Sequence, residues 1–101
     1  MKQSTFHHSG AKIFDAIIQT ANKLNLEIIE KSLTEYYFCL EYSGNLFSYG
    51  NKIDVKIKSE NANKHIVEVS SRCTAAIQLI DWGTNDRLEL EVIETINEIL
   101  N

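Results

Sequence analysis

The amino-acid sequence predicts an α+β domain of element order β-α-β-β-β-β-α, an antiparallel meander sheet with both helices packed on one face. Three observations carry this. Two segments repeat apolar residues at three- and four-residue steps, the period of a helix half in water. Four segments between them tend to alternate apolar and polar residues, the period of a sheet wet on one side. Two of the joins between those strands are short and polar, as antiparallel neighbours require. One apolar sheet face and two apolar helix stripes share a solution, which is to bury the stripes on that face.

The elements follow in order. Ser4 to His8 alternates weakly and is read as a first strand. Ser9 offers an N-cap oxygen, and from Ala11 to Leu24 the residues Ile13, Phe14, Ile17, Ile18, Ala21 and Leu24 form one helical stripe. Asn25 is the expected stop, because asparagine tolerates the left-handed conformation. Strands are read at Leu26 to Ser32, Glu35 to Tyr42, Lys52 to Lys58 and His65 to Cys73. Ile53, Val55 and Ile57 are expected on the buried side, against Lys52, Asp54, Lys56 and Lys58. The final helix runs from Asn85 to Leu100, with Leu88, Val92, Ile93, Ile96, Ile99 and Leu100 inward and Glu91, Glu94 and Glu98 in solvent.

Size and composition set the class. A chain of 101 residues is one domain, residues 1–101, by the usual size range. Apolar residues make up 44% and charged residues 24%, an ordinary globular balance. Two cysteines, Cys39 and Cys73, make no disulfide framework. No apolar run nears the ~18 residues of a membrane span, and Met1 to His8 lacks the apolar core of a signal peptide. The expected location is the reducing cytoplasm. The net charge of −4 resides in the last helix, where Asp86, Glu89, Glu91, Glu94 and Glu98 face Arg87 alone. Such a face repels phosphate and argues against nucleic acid docking there.

The segment from Ser71 to Asn85 is the least ordinary. It holds the single tryptophan, Trp82, and a glycine, Gly83. Turn and cap chemistry accounts for most of it: Asp81 for an Asx turn, Gly83 for positive φ, Thr84 or Asn85 for the cap. The functional alternative is a polar pocket of Arg72, Asp81 and Asn85 beside Trp82. The strand end Val69-Ser70-Ser71-Arg72, then Asp81-Trp82-Gly83-Thr84-Asn85 opening a terminal helix, resembles an uncharacterised family of small bacterial α+β domains. Ser48-Tyr49-Gly50 before a strand extends the resemblance, which spans residues 11–100 in outline and departs from some members at the longer Cys73–Ile80 stretch. It implies a fold and no activity.

A second candidate is the loop from Ser43 to Gly50, where Leu46, Phe47 and Tyr49 sit between two glycines. Apolar loop residues either tuck under the sheet or await a partner. Other chemistry is thin. His7, His8 and His65 have no companions at zinc-ligand spacing, and Ser70 and Ser71 have no elbow motif or histidine partner. No phosphate-binding glycine loop exists. The lysines Lys52, Lys56, Lys58 and Lys64 read as a solvated sheet face, with Tyr37 alone as an aromatic on it. No catalytic residue, metal or cofactor is assigned. The leading expectation is a non-catalytic module that binds a protein partner or a second copy of itself, through Leu46, Phe47, Tyr49 and Trp82. The alternative is a small-molecule or lipid binder with a cavity between sheet and helices.

Overall fold

The computed structural model describes residues 1–42, 51–73 and 84–101, with backbone alone at Cys73, Thr84 and Asn85. The elements are β1 (Lys2–Phe6), α1 (Gly10–Lys23), β2 (Glu27–Ser32), β3 (Tyr37–Tyr42), β4 (Asn51–Asn61), β5 (Lys64–Cys73) and α2 (Thr84–Leu100). The sheet order is β1-β5-β4-β3-β2, with every pair antiparallel. Strands β2 to β5 form a meander, and β1 returns to the outer edge of β5.

Register explains the layering. Phe38 pairs with Val55 and Val55 with Val69, while Leu40 pairs with Ile53, so branched and aromatic side chains stack across one sheet face. Phe38, Leu40, Ile53, Val55, Val67 and Val69 are wholly buried there. The same core takes in Ile13 and Ile17 of α1 and Leu88, Val92 and Ile96 of α2. Both helices therefore cover one face, and area bookkeeping makes each such buried aliphatic side chain worth about 1.5–3 kcal/mol.

The helix ends follow local chemistry. Ser9 is extended (φ −67°, ψ 157°), and its Oγ accepts from the Lys12 N–H at 3.4 Å. At the far end Leu24 N–H reaches Thr20 O at 2.9 Å, and Leu26 N–H reaches Ala21 O at 2.8 Å. Asn25 stands between them at φ 57°, the left-handed stop expected of it. The buried Thr20 hydroxyl donates to Ala16 O at 2.8 Å, so no polar atom is stranded there.

Some boundaries differ from the sequence reading. The first strand is Lys2–Phe6, not 4–8, because Phe6 is the residue that pairs with His65 and enters the core. His7 and His8 therefore lie in the turn that leads to Ser9, off the strand. Strand β3 starts at Tyr37, since Tyr36 takes φ 52° and ends the preceding turn. Strand β2 carries an irregularity between Ile28 and Glu30, which leaves Ile29 47% exposed and breaks simple alternation. Strand β4 runs from Asn51 to Asn61, longer than its apolar core, because polar residues can also pair in a long hairpin with β5.

One consequence of register positions the candidate residues. Tyr42 of β3 pairs with Asn51 of β4, and Asn51 pairs with Cys73 of β5. The segments 43–50 and 74–83, both outside the described residues, thus depart from the same end of the sheet. α2 starts directly after the second of them.

Candidate functional site

At that end the inner face changes character. Below it the layer is aliphatic and aromatic. Asn51, 2% exposed, replaces the next apolar residue on β4, and Ser71 occupies the corresponding place on β5 opposite Ile53. Above them α2 contributes Glu89, a carboxylate only 4% exposed. Glu89 Oε2 accepts from the Ser71 N–H at 2.8 Å, and Oε1 lies 3.2 Å from the Met1 amino group. The first bond has a clear origin. The paired part of β1 begins at Lys2 opposite Val69, so on that edge β5 runs on without a strand neighbour, and Glu89 takes the Ser71 donor. Beside it Lys2 pairs with Asp86 in α2. Their mutual hydrogen bond raises the Lys2 pKa and lowers that of Asp86.

The outer face carries a second cluster. Tyr37 Oη donates to Asp54 Oδ1 at 2.7 Å, and Arg72 Nε donates to Asp54 Oδ2 at 3.2 Å. Cys39, the register partner of Asp54, is buried at 5% exposure despite its place on the wet side. Burial alone would raise the Asp54 pKa, but the hydrogen bonds from Tyr37 and Arg72 outweigh it and hold the carboxyl below its ordinary range. The hydrogen bond to Asp54 pushes the Tyr37 phenol well above its usual value, with burial adding to it. Desolvation, then the Asp54 charge, pushes the Cys39 thiol up. These directions keep the phenol and thiol protonated and the carboxylate charged at neutral pH. The cluster is therefore suited to holding three strands in place, and poorly suited to proton transfer or thiolate attack. A groove of about 200 Å³ runs beside it, lined by Met1, Asp54, Lys56, Glu68 and Ser70. Of the lysines on this face and its turn, Lys58 pairs with Glu68 and Lys64 with Glu60.

Of the residues singled out from sequence, Arg72 is the one whose side chain is described. It lies on the outer face, bound to Asp54, on the opposite side of the sheet from α2. Leu46, Phe47, Tyr49, Asp81 and Trp82 lie outside the described residues, as does the Asn85 side chain. Sequence reasoning missed Glu89 as a buried group. A signal existed: Glu89 stands three residues before Val92 and four before Ile93, on the stripe itself, unlike Glu91, Glu94 and Glu98. It also missed the Tyr37–Asp54–Arg72 bonding, which depends on which strands are neighbours. Among the described residues no three His, Cys, Asp or Glu side chains are grouped as a metal site would need. No helix among them is long and apolar enough to cross a membrane.

No protein-family model matches the chain, and no curated protein matches it. Among solved structures, the crystal structure of Ara h 8.0201 is similar, with a TM-score of 0.57 and 14% identity over 98% of this chain and 95% of that one. The likeness is one of fold: an α+β arrangement with helices laid on one face of an antiparallel sheet.

Proposed function

We propose that the chain is a binding module that takes a small, largely apolar ligand at the end of the inner sheet face where β3, β4, β5 and α2 meet. The observation that carries this is the change in that face. An apolar layer ends in buried polar groups, Asn51 and Glu89, with Ser71 beside them. Small-molecule sites have that composition, apolar walls with a few placed polar groups that set orientation. The likeness in fold to Ara h 8.0201 is consistent with it. The two segments flagged in the sequence, 43–50 and 74–83, depart from the same sheet end.

The test uses the single tryptophan, Trp82, as a reporter. Laurate, an aromatic carboxylic acid and a nucleoside monophosphate are titrated while intrinsic fluorescence and thermal unfolding are followed. One class should raise the unfolding temperature, because ligand that binds only the folded state stabilises it by mass action. Glu89→Gln should weaken that effect while the protein stays folded. If none of the three classes shifts either signal at millimolar concentration, the reading fails.

A second reading, association with a protein partner or another copy, is favoured by exposed apolar side chains near one sheet edge. Ile29 on edge strand β2 is 47% exposed, and Leu33 just after it is 67% exposed. Sedimentation velocity on the wild type and on Ile29→Lys/Leu33→Lys tests self-association. A concentration-independent monomer in both counts against it.

A further inference from the structure

We propose that a cleft at the opposite end of the molecule, between α1 and the last turn of α2, binds a free amino acid with an aliphatic side chain. The cleft holds about 240 Å³. That is below the ~300 Å³ at which pockets for drug-sized ligands begin, so its occupant is small. One wall is the α1 stripe of Lys12, Asp15 and Gln19, preceded by His8, and the floor is Ala16 with Ile99 and Leu100 of α2. Ala16 is 1% exposed, and the two α2 residues are half-buried, so the floor is apolar and firm.

The charges in this cleft have both signs. The Lys12 ammonium and the His8 imidazole have no hydrogen-bond or ion-pair partner among the described residues. On the negative side, Asp15 Oδ2 accepts from Gln19 Nε2 at 2.6 Å, which orients the carboxylate and leaves Oδ1 available. The last turn of α2 contains no basic residue of its own, and a helix C-terminus favours a cation.

A simple carboxylate would satisfy Lys12 and face Asp15. A simple amine would do the reverse. An α-amino acid carries both groups on one carbon, and residues three apart on a helix, such as Lys12 and Asp15, have Cβ atoms only about 5–6 Å apart. Its carboxylate meets Lys12 and His8, its ammonium meets Asp15 and the α2 carbonyls, and an aliphatic side chain covers Ala16, Ile99 and Leu100. This site is independent of the one proposed above, because it lies at the other end of the fold.

Nuclear magnetic resonance of the ¹⁵N-labelled full chain tests it, with L-leucine, N-acetyl-L-leucine, L-leucinamide and glycine as titrants. Leucine should shift the amides of residues 8–19 and 97–101 saturably, and each of the other three should bind about tenfold or more weakly. Lys12→Met and Asp15→Asn, both at exposed positions, should each lower leucine affinity about tenfold with the spectrum otherwise unchanged. The proposal is overturned by no saturable shift up to on the order of 20 mM leucine. It is equally overturned by leucine binding that both variants leave intact, or by shifts confined to the region of Asn51, Ser71 and Glu89.

Discussion

The backbone N–H of Ser71 donates a 2.8 Å hydrogen bond to Oε2 of Glu89, and this bond ties the end of β5 to the early turns of α2. Ser71 lies past the point where β1 pairs, and the Glu89 side chain is 6% exposed. The helix is placed on the sheet by a charged acceptor as well as by Leu88 and Val92.

Removing that acceptor should be costly. Hydrogen bonds to charged groups contribute about 1.5–3 kcal/mol, so Glu89→Ala should lower unfolding stability by about 2–3 kcal/mol in urea titration. Glu89→Gln keeps an oxygen for Ser71 and should cost only about 1 kcal/mol. A domain of this size loses roughly 4–8 °C in Tm per kcal/mol, so calorimetry separates the two variants. Equal losses would mean that the charge, and not the Ser71 bond, is what matters.

Core and surface apolar residues should divide sharply. Phe38 is wholly buried and its ring packs at a tilt against Phe14 with centroids 5.0 Å apart. Phe38→Ala should destabilise by about 3–5 kcal/mol, the usual range for a buried aromatic truncated to a methyl group. Leu33 is 67% exposed, and Leu33→Ser should stay within about 0.5 kcal/mol of wild type. Chemical denaturation of both variants measures the contrast directly.

Two left-handed non-glycine residues among the described ones give an unusual mutational order. Asn25 and Tyr36 have φ 57° and 52°, where a Cβ costs about 1–2 kcal/mol. Asn25→Ala should therefore destabilise by about 1 kcal/mol, while Asn25→Gly should be close to neutral. Tyr36 also packs its ring on Phe14, at 5.4 Å between centroids, so every truncation loses that contact. Tyr36→Gly should nonetheless be more stable than Tyr36→Ala by about 1 kcal/mol, since only glycine relieves the backbone. The reverse order in urea melts would show that the turn relaxes without it.

Much of this fold is written in side-chain period. The spacing of Ile13, Ile17, Val92 and Ile96 places both helices, and the alternation of Ile53, Val55 and Ile57 orients β4; all seven are buried at 5% exposure or less. Asn25 and Ser9 could be read because their chemistry is local. What could not be read depends on pairings distant in sequence. Nothing near Glu89 announces that β1 stops short of Ser71. The bond from Tyr37 to Asp54 spans a segment whose length hides the register. Ile29 is exposed because a bulge shifts the strand by one residue, and alternation alone cannot foresee that. The candidate site was legible only as two segments, and topology added that they leave one sheet end.

The pH response should carry the signature of Asp54. Its folded pKa lies below the ordinary aspartate value near 4, because the bonds from Tyr37 and Arg72 outweigh burial. A group with a depressed folded pKa contributes its stability fully above the unfolded pKa and loses it as pH falls through the folded one. The unfolded chain binds the proton first on acidification, so stability should fall with pH below about 4 and the Asp54 part should be lost once the folded carboxyl protonates. Asp54→Asn should flatten that limb of the acid titration. In base the same bond acts on the partner. Tyr37 should ionise above the ordinary tyrosine range in an absorbance titration at alkaline pH, and Asp54→Asn should bring it forward. Should Asp54→Asn leave both the acid limb and the tyrosine titration unchanged, the bond between Tyr37 and Asp54 would not persist in solution.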